Sequence, residues 1–425
     1  MSRASDVVIA GGGVIGCAVA YYAARRGIQV TLVDRPRRGR ATSASAGGTW
    51  PLGESLGLGC GVIFHKAQLR AGKSDSSAGP PTVPACFLDF SLRSNQMFPL
   101  LAEELQQHAK VDIEFERTSL LFVTYDDGDV SFARGLMRDA PIDPSLIEWL
   151  SPAELAREEP AMTRDTLGAL RFLGDDQVNP YKLADAYRDA ARALGARVLT
   201  HTDVTGVRLE RGRVVAVETS AGAIPCATLI NAAGAWAPEI ARMAGLDLPV
   251  RPVRGQIVCT ATLPKLLRAC VSTSDCYLAQ KKHGEVIIGS TTEEVGFDPG
   301  VTTGATRELS AGAVRAVPFL AKATLKRVWS GFRPGTPDEL PILGPVDSIA
   351  GYLNATGHFR TGIVNSPLTG LMLSQHLAGA PLAVPLEPFL ASRFDGPVED
   401  STSRGAESSL ATGPDRPKNN ALRQP

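Results

Sequence analysis

Residues 5–34, SDVVIAGGGVIGCAVAYYAARRGIQVTLVD, decide the fold. A β-rich run over 6–10 leads into the turn GGGVIG at 11–16, a helix-forming run covers 14–26, and Gly27 stands where a helix stops. A second β-rich run over 28–34 ends on Asp34. Gly11, Gly13 and Gly16 are spaced GxGxxG. The first makes the tight turn, the second lets backbone approach a pyrophosphate, and the third lets helix and strand pack closely. The helix then starts at Val14 and Ile15, with its N-terminal amides toward the phosphates. Asp34 lies 18 residues beyond Gly16, suited to accept hydrogen bonds from a ribose diol and to repel a 2′-phosphate, which disfavours NADP. The competing reading is a structural turn without a ligand. Residues 7–24 carry no charge, and their 18 residues approach a membrane span. Three glycines at the centre fit neither a span nor a signal peptide, so this stretch reads as a buried strand, a turn and a buried helix.

The remainder of the 425 residues sets bounds. The length suits two or three domains. Lys plus Arg and Asp plus Glu are both 44, and that zero balance argues against nucleic acid as a partner. Seven scattered cysteines with no CxxC argue against a zinc or iron–sulfur site in this chain and suit a reduced, intracellular setting. Cys259, Cys270 and Cys276 cluster in sequence but fit no metal motif, so they read as buried thiols. Arg35, Arg37, Arg38 and Arg40 read as a solvated loop.

Further along, residues 66–84 read as a surface excursion and 91–108 as one amphipathic helix. Strand-like runs fall at 113–117 and 120–125, and a second helix spans 180–194. Strands follow at 198–199, 204–209 and 228–231, and an antiparallel pattern covers 250–290. A last helix runs over 368–377, and the chain from about 394 has the composition of a disordered tail. The fold class expected is α/β: a Rossmann-type FAD-binding domain with an inserted antiparallel-sheet substrate domain. The cofactor domain is placed at 1–90, 151–235 and 330–392, the substrate domain at 91–150 and 236–329, and the tail at 393–425.

FAD and NAD share the glycine fingerprint, so other segments decide between them. The small-residue run over 42–49, with Thr42, Ser43, Ala46, Gly47 and Gly48, suits close approach of backbone to phosphates and a flavin ring. Asn231-Ala-Ala-Gly234 offers another approach through Ala233 and Gly234, and Gly357-His-Phe-Arg-Thr-Gly362 offers a loop before a helix. No second GxGxxG supplies a separate NAD site, and together these segments favour FAD.

In order, GGGVIG, TSASAGG, NAAGAW, GQIV, WSGFRPGTPDELPILG and GHFRTGIVNSP resemble the D-amino-acid oxidase and glycine oxidase family over residues 5–392. The longer strings SAGGTWPLGESLGLGCGVIF, TSDCYLAQKKHGEVIIGSTTEE and PGTPDELPILGPV resemble a narrower group, the flavoprotein subunits of bacterial cyanide-forming glycine dehydrogenases. The resemblance implies that Arg333 clamps a substrate carboxylate, as a planar fork does well, with a structural ion pair as its competing reading. It implies that Tyr277 stands near the substrate and Arg360 beside flavin and substrate, with His358 positional. It also implies cofactor contacts from Arg35, Val204, Phe359, Thr361 and Ile363. The activity implied is FAD-dependent oxidation of glycine to hydrogen cyanide and CO2. The alternative is a dehydrogenase or oxidase of another small amino acid or secondary amine, of the glycine oxidase, D-hydroxyproline or opine type. Two partner subunits, one carrying an iron–sulfur centre, a respiratory-chain acceptor and peripheral attachment at the cytoplasmic face of the inner membrane complete what the resemblance implies.

Overall fold

The computed structural model describes residues 5–56, 83–139 and 142–395. Nearly all of the 66–84 excursion, the glycine-rich stretch up to Gly61 and the tail beyond Asp395 lie outside the described residues. Strand Ser5–Ala10, helix Val14–Arg25 and strand Val30–Asp34 form the expected βαβ unit. Gly27, at φ +78°, takes the left-handed conformation that follows the helix end. Both strands pair in parallel, with Ile9 opposite Leu32. On the other side of Ser5–Ala10 lies Ile224–Asn231, also parallel, and beyond it Ile349–Thr356. Arg197–Thr200 closes the opposite edge. A parallel core buried on both faces explains the uncharged run over 7–24: the strand's Val7–Ala10 and ten residues of the helix are buried.

Helix Val14–Arg25 is sandwiched against helices Pro180–Ala193 and Gly362–Leu377. Tyr21 and Tyr187 meet at 5.8 Å between ring centroids. A Cβ on Gly370 would come within 2.6 Å of the Tyr22 ring and 2.9 Å of Ala18 backbone, so glycine sets how closely these two helices approach. The last helix begins six residues earlier than expected and carries Pro367 within it. The Ile363 carbonyl, which a residue with an N–H at position 367 would have capped, accepts from the Ser366 hydroxyl at 2.9 Å instead.

A second eight-stranded sheet runs in the order Leu325–Gly335, Arg251–Thr260, Val286–Gly289, Tyr277–Gln280, Cys270–Ser272, Ser119–Thr124, Gly168–Leu173 and Ile147–Leu150. All its pairings are antiparallel except Cys270–Ser272 with Ser119–Thr124. Membership differs from the expectation in two segments. Strand Gly168–Leu173, assigned by sequence to the cofactor domain, pairs with Ser119–Thr124 in this sheet. The stretch expected as one helix over 91–108 is two helices, Ala85–Gln96 and Phe98–Ala109, broken at Met97 before Pro99. Phe98, Leu101 and Leu105 of the second of these join the core of the first sheet. The run 113–117 is not a strand beyond a single bridge of Glu116 to Gln177, because Glu114 sits at φ +55°.

Candidate active site

A cleft, partly open to solvent, runs between the carboxyl ends of the parallel strands and the second sheet. Its lining extends from Gly11 and Asp34 to Tyr277, Arg333 and Arg360, which suits an extended dinucleotide with a small substrate beside it. Gly11, Gly13, Val14, Ile15 and Asp34 line one end. The turn is as tight as the glycine spacing requires: a Cβ on Gly16 would stand 1.9 Å from the Gly11 carbonyl, and one on Gly11, at φ +112°, 2.4 Å from that of Ala232. Gly16 therefore shapes the turn without lining the cleft. Thr42 accepts from the Val14 amide at 3.0 Å, which places a hydroxyl at the helix N-terminus. Asp34 accepts from the Gly12 amide at 2.8 Å and pairs with Arg40. The loop is solvated as expected, with Arg35 and Arg38 exposed, and it also forms surface ion pairs: Arg35 holds Asp203 at 2.8 Å, and Arg37 holds Glu239 at 2.9 Å.

Ala46, Gly48, Val204, Ala233, Gly234, His358, Phe359, Arg360, Gly362 and Ile363, expected to contact the cofactor, also line this cleft. Ser43, Gly47 and Thr361 do not. The Ser43 carbonyl accepts from Trp329 Nε1 at 2.9 Å and from the Tyr181 hydroxyl at 2.6 Å. Gly47, at φ +81°, packs on the Val178 carbonyl, and Thr361 turns its hydroxyl to the His358 carbonyl at 2.8 Å. His358 is buried, its Nε2 is within 3.0 Å of the Thr369 hydroxyl, and burial lowers its pKa to about 3. It is thus a neutral, positional group, and its Nδ1 has no partner among the described residues. A buried orphan nitrogen in the cleft wall, a turn that only glycines fit and a carboxylate at the end of the second strand together fit FAD.

The three expected catalytic residues all line this cleft, in different states. Arg333 is half-buried. Its Nη1 donates to the Thr291 carbonyl at 3.0 Å and its Nη2 to the Ser290 hydroxyl, and no carboxylate pairs with it among the described residues. Two glycines clear space around the pair: a Cβ on Gly255 would lie 2.4–2.6 Å from the Arg333 guanidinium, and one on Gly289 would lie 2.3 Å from the Tyr277 hydroxyl. Tyr277 is 4% exposed and meets Trp50 edge-on at 5.5 Å. Arg360 is already committed, its Nε to Glu54 at 3.2 Å and its Nη2 to Glu339 at 2.9 Å. It reads as a wall of the site whose charge is spent.

Sequence reasoning missed Trp50, Glu54, Arg40 and Gly255 among the cleft residues. An isolated glycine inside a β-rich run such as RGQIV marks a close approach and was a usable signal for Gly255. The cysteines are as expected: Cys259, Cys270 and Cys276 are buried free thiols, with burial raising the pKa of each.

Comparison with known proteins agrees with this geometry. Residues 6–376 match the family model for DAO, FAD dependent oxidoreductase. The chain is 50% identical over 406 residues to the hydrogen cyanide synthase subunit HcnC of Pseudomonas aeruginosa, covering 93% of this chain and 97% of that one. It is 31% identical over 407 residues to the glycine oxidase of Geobacillus kaustophilus, covering 94% and 99%. A crystal structure of glycine oxidase from Geobacillus kaustophilus superposes with a TM-score of 0.81 at 28% identity, over 93% of this chain and 100% of the other.

Proposed function

The chain belongs to the DAO family of FAD-dependent oxidoreductases, and from that premise we propose that it is the flavoprotein subunit of a cyanide-forming glycine dehydrogenase. Glycine becomes HCN and CO2 with release of four protons and four electrons, in two two-electron oxidations, the second with loss of the carboxylate carbon. FAD, when bound, supplies an acceptor for two electrons at a time.

The observation that carries this reading is Arg333, a guanidinium in the cleft held by a carbonyl and a hydroxyl and, among the described residues, opposed by no carboxylate. Its planar fork is left to bind a substrate carboxylate bidentately, which fixes the α-carbon relative to the cofactor side. Tyr277, wedged between Trp50 and Gly289, gives that position a rigid wall and a phenol within the cleft. Burial lowers the pKa of His358 to about 3 and its Nε2 meets the Thr369 hydroxyl, so it is too weak a base to take a proton from the substrate. None is required, because a neutral amine gives up its α-hydrogen with both bonding electrons.

The relative at 50% identity is itself a subunit of hydrogen cyanide synthase, so this chain works within an assembly. We assign it two partner subunits, one with an iron–sulfur centre, which deliver electrons to a respiratory-chain acceptor at the cytoplasmic face of the inner membrane. Among the described residues no helix is long and apolar enough to cross a membrane, and attachment through the partners accommodates that. The test is the purified complex with glycine and an artificial acceptor. Cyanide formed in step with glycine consumed is the expected result. Glyoxylate and peroxide without cyanide would move the chain to the oxidase alternative.

A further inference from the structure

The guanidinium of Arg333 is oriented by two atoms of the segment that follows strand Val286–Gly289, the Ser290 hydroxyl and the Thr291 carbonyl. What holds that segment is a second arginine. Arg254, on strand Arg251–Thr260, is 4% exposed and faces away from the cleft, whereas its neighbour Gly255 faces into it. Its Nε donates to Glu293 Oε2 at 2.9 Å, and its Nη1 donates to Asp298 Oδ2 at 2.6 Å and to the Asp298 carbonyl at 3.1 Å. The backbones of Arg254 and Glu293 exchange hydrogen bonds at 2.8 and 2.9 Å. Gln256 completes the clamp: its Nε2 reaches Glu293 Oε1 at 2.7 Å, its amide reaches the Thr291 hydroxyl at 2.9 Å, and its Oε1 accepts from the Thr302 amide at 2.8 Å.

We propose that Arg254, through Glu293, is a positioning residue for Arg333, fixing residues 290–293 so that the Arg333 fork meets the substrate carboxylate in register. The alternation along one strand makes this possible. Arg254 and Gln256 grip the segment on one face, and Gly255 admits the guanidinium on the other. A buried arginine with two carboxylate partners is a stiff anchor, because leaving its seat would unpair a desolvated charge. Nothing in the clamp touches the cleft's cofactor end, so its effect falls on carboxylate binding.

This inference rests on the reading of Arg333 as the carboxylate clamp, and a double-mutant cycle separates the two. The measurements are glycine KM and kcat, the glycolate Kd from the visible spectrum of the bound flavin, and Tm, for Arg254→Met, Glu293→Gln, Arg333→Met and Arg254→Met/Arg333→Met. Arg254→Met and Glu293→Gln should each raise KM and glycolate Kd about tenfold, the scale of one mispositioned charge-assisted contact, with kcat within about threefold of the parent. Arg254→Met should add nothing further once Arg333 is Met. If its effect instead multiplies in that background, or if only Tm moves, the positioning role is wrong while the Arg333 reading stands. If Arg333→Met leaves KM and glycolate Kd unchanged, the carboxylate reading falls and takes this inference with it. Should Arg254→Met fail to fold, Glu293→Gln, at a side chain that is 23% exposed, carries the same comparison.

Discussion

Replacing Gly255 by Ala is the sharpest available test of the substrate clamp, because it moves Arg333 without altering its chemistry. Gly255 sits mid-strand with no positive φ, so the backbone accepts an alanine. The new methyl would lie 2.4 Å from one terminal nitrogen of Arg333 and 2.6 Å from its central carbon. Ordinary contact begins near 3.4 Å, so the guanidinium must retreat by about 1 Å. The atoms in the way are the far end of a flexible side chain, so the fold absorbs the change by moving Arg333. A displacement of ~1 Å at a positioning group costs on the order of 10²-fold in rate. That is roughly 2.7 kcal/mol of transition-state stabilisation, at 1.36 kcal/mol per tenfold. The assay is steady-state glycine turnover, paired with anaerobic bleaching of the bound flavin by glycine and with Tm. The expected result is kcat/KM down about a hundredfold, dominated by KM, with FAD content unchanged and Tm within a few degrees. If kcat/KM stays within about threefold of the parent while Arg333→Met is severely impaired, Arg333 does not need the place it occupies here, and the reasoning is refuted.

Trp50 closes the wall against Tyr277, so Trp50→Ala should open room for a side chain on the substrate. D-alanine turnover should rise relative to glycine by tenfold or more, and an unchanged ratio would remove Trp50 from the specificity wall. His358 binds its proton only near pH 3 when folded but near 6.5 when unfolded. Between those values the unfolded state holds the extra proton, so stability falls with falling pH by up to about 1.4 kcal/mol per unit. His358→Asn should flatten the dependence of the urea midpoint on pH between 6.5 and 4, and an equal slope in both proteins would show the imidazole is not held neutral. Gly370→Val should cost about 1–3 kcal/mol by forcing apart the helices that meet at Ala18 and Tyr22, read as a Tm lowered by several degrees. Arg360→Met should take the arginine partner from Glu54 and Glu339 beside the cleft and lower FAD retention on gel filtration more than it raises glycine KM.

The parts of this molecule that local chemistry specifies are those the amino-acid order announces. GxGxxG between two β-rich runs, with an acid closing the second, is complete within thirty residues, and strand, turn, helix and strand stand where that pattern puts them. What the pattern does not carry is partnership across distance. Gly168–Leu173 looks like any short strand, and only its pairing with Ser119–Thr124 assigns it to the second sheet. The arginines at 35–40 show no ion-pair partners in sequence because Asp203 and Glu239, which pair with two of them, come from far along the chain. Arg333 sits on a motif-bearing strand and Arg360 in a motif-bearing loop. The difference between a spent charge and an available one depends on Glu54 and Glu339 reaching one and not the other.

The same distinction explains why the substrate side of the cleft is less visible than the cofactor side. Phosphate is recognised largely by backbone, and backbone requirements leave glycines in tight clusters that sequence displays. On the proposed reading, a small amino acid is recognised by one guanidinium and a shaped void, and the void is made by isolated glycines, Gly255 and Gly289, in separate strands. Each is an ordinary strand glycine until Arg333 and Tyr277 are brought against it. Within the sheet, Ile257 pairs with Gly289, two residues along from Gly255, and Tyr277 lies opposite Gly289 on the other side. Three adjacent strands thus place both glycines and the tyrosine in one patch, and the Arg333 guanidinium enters it from the fourth. Specificity for a substrate without a side chain is therefore a property of sheet register, and substitutions that preserve every motif can still abolish it by filling that patch.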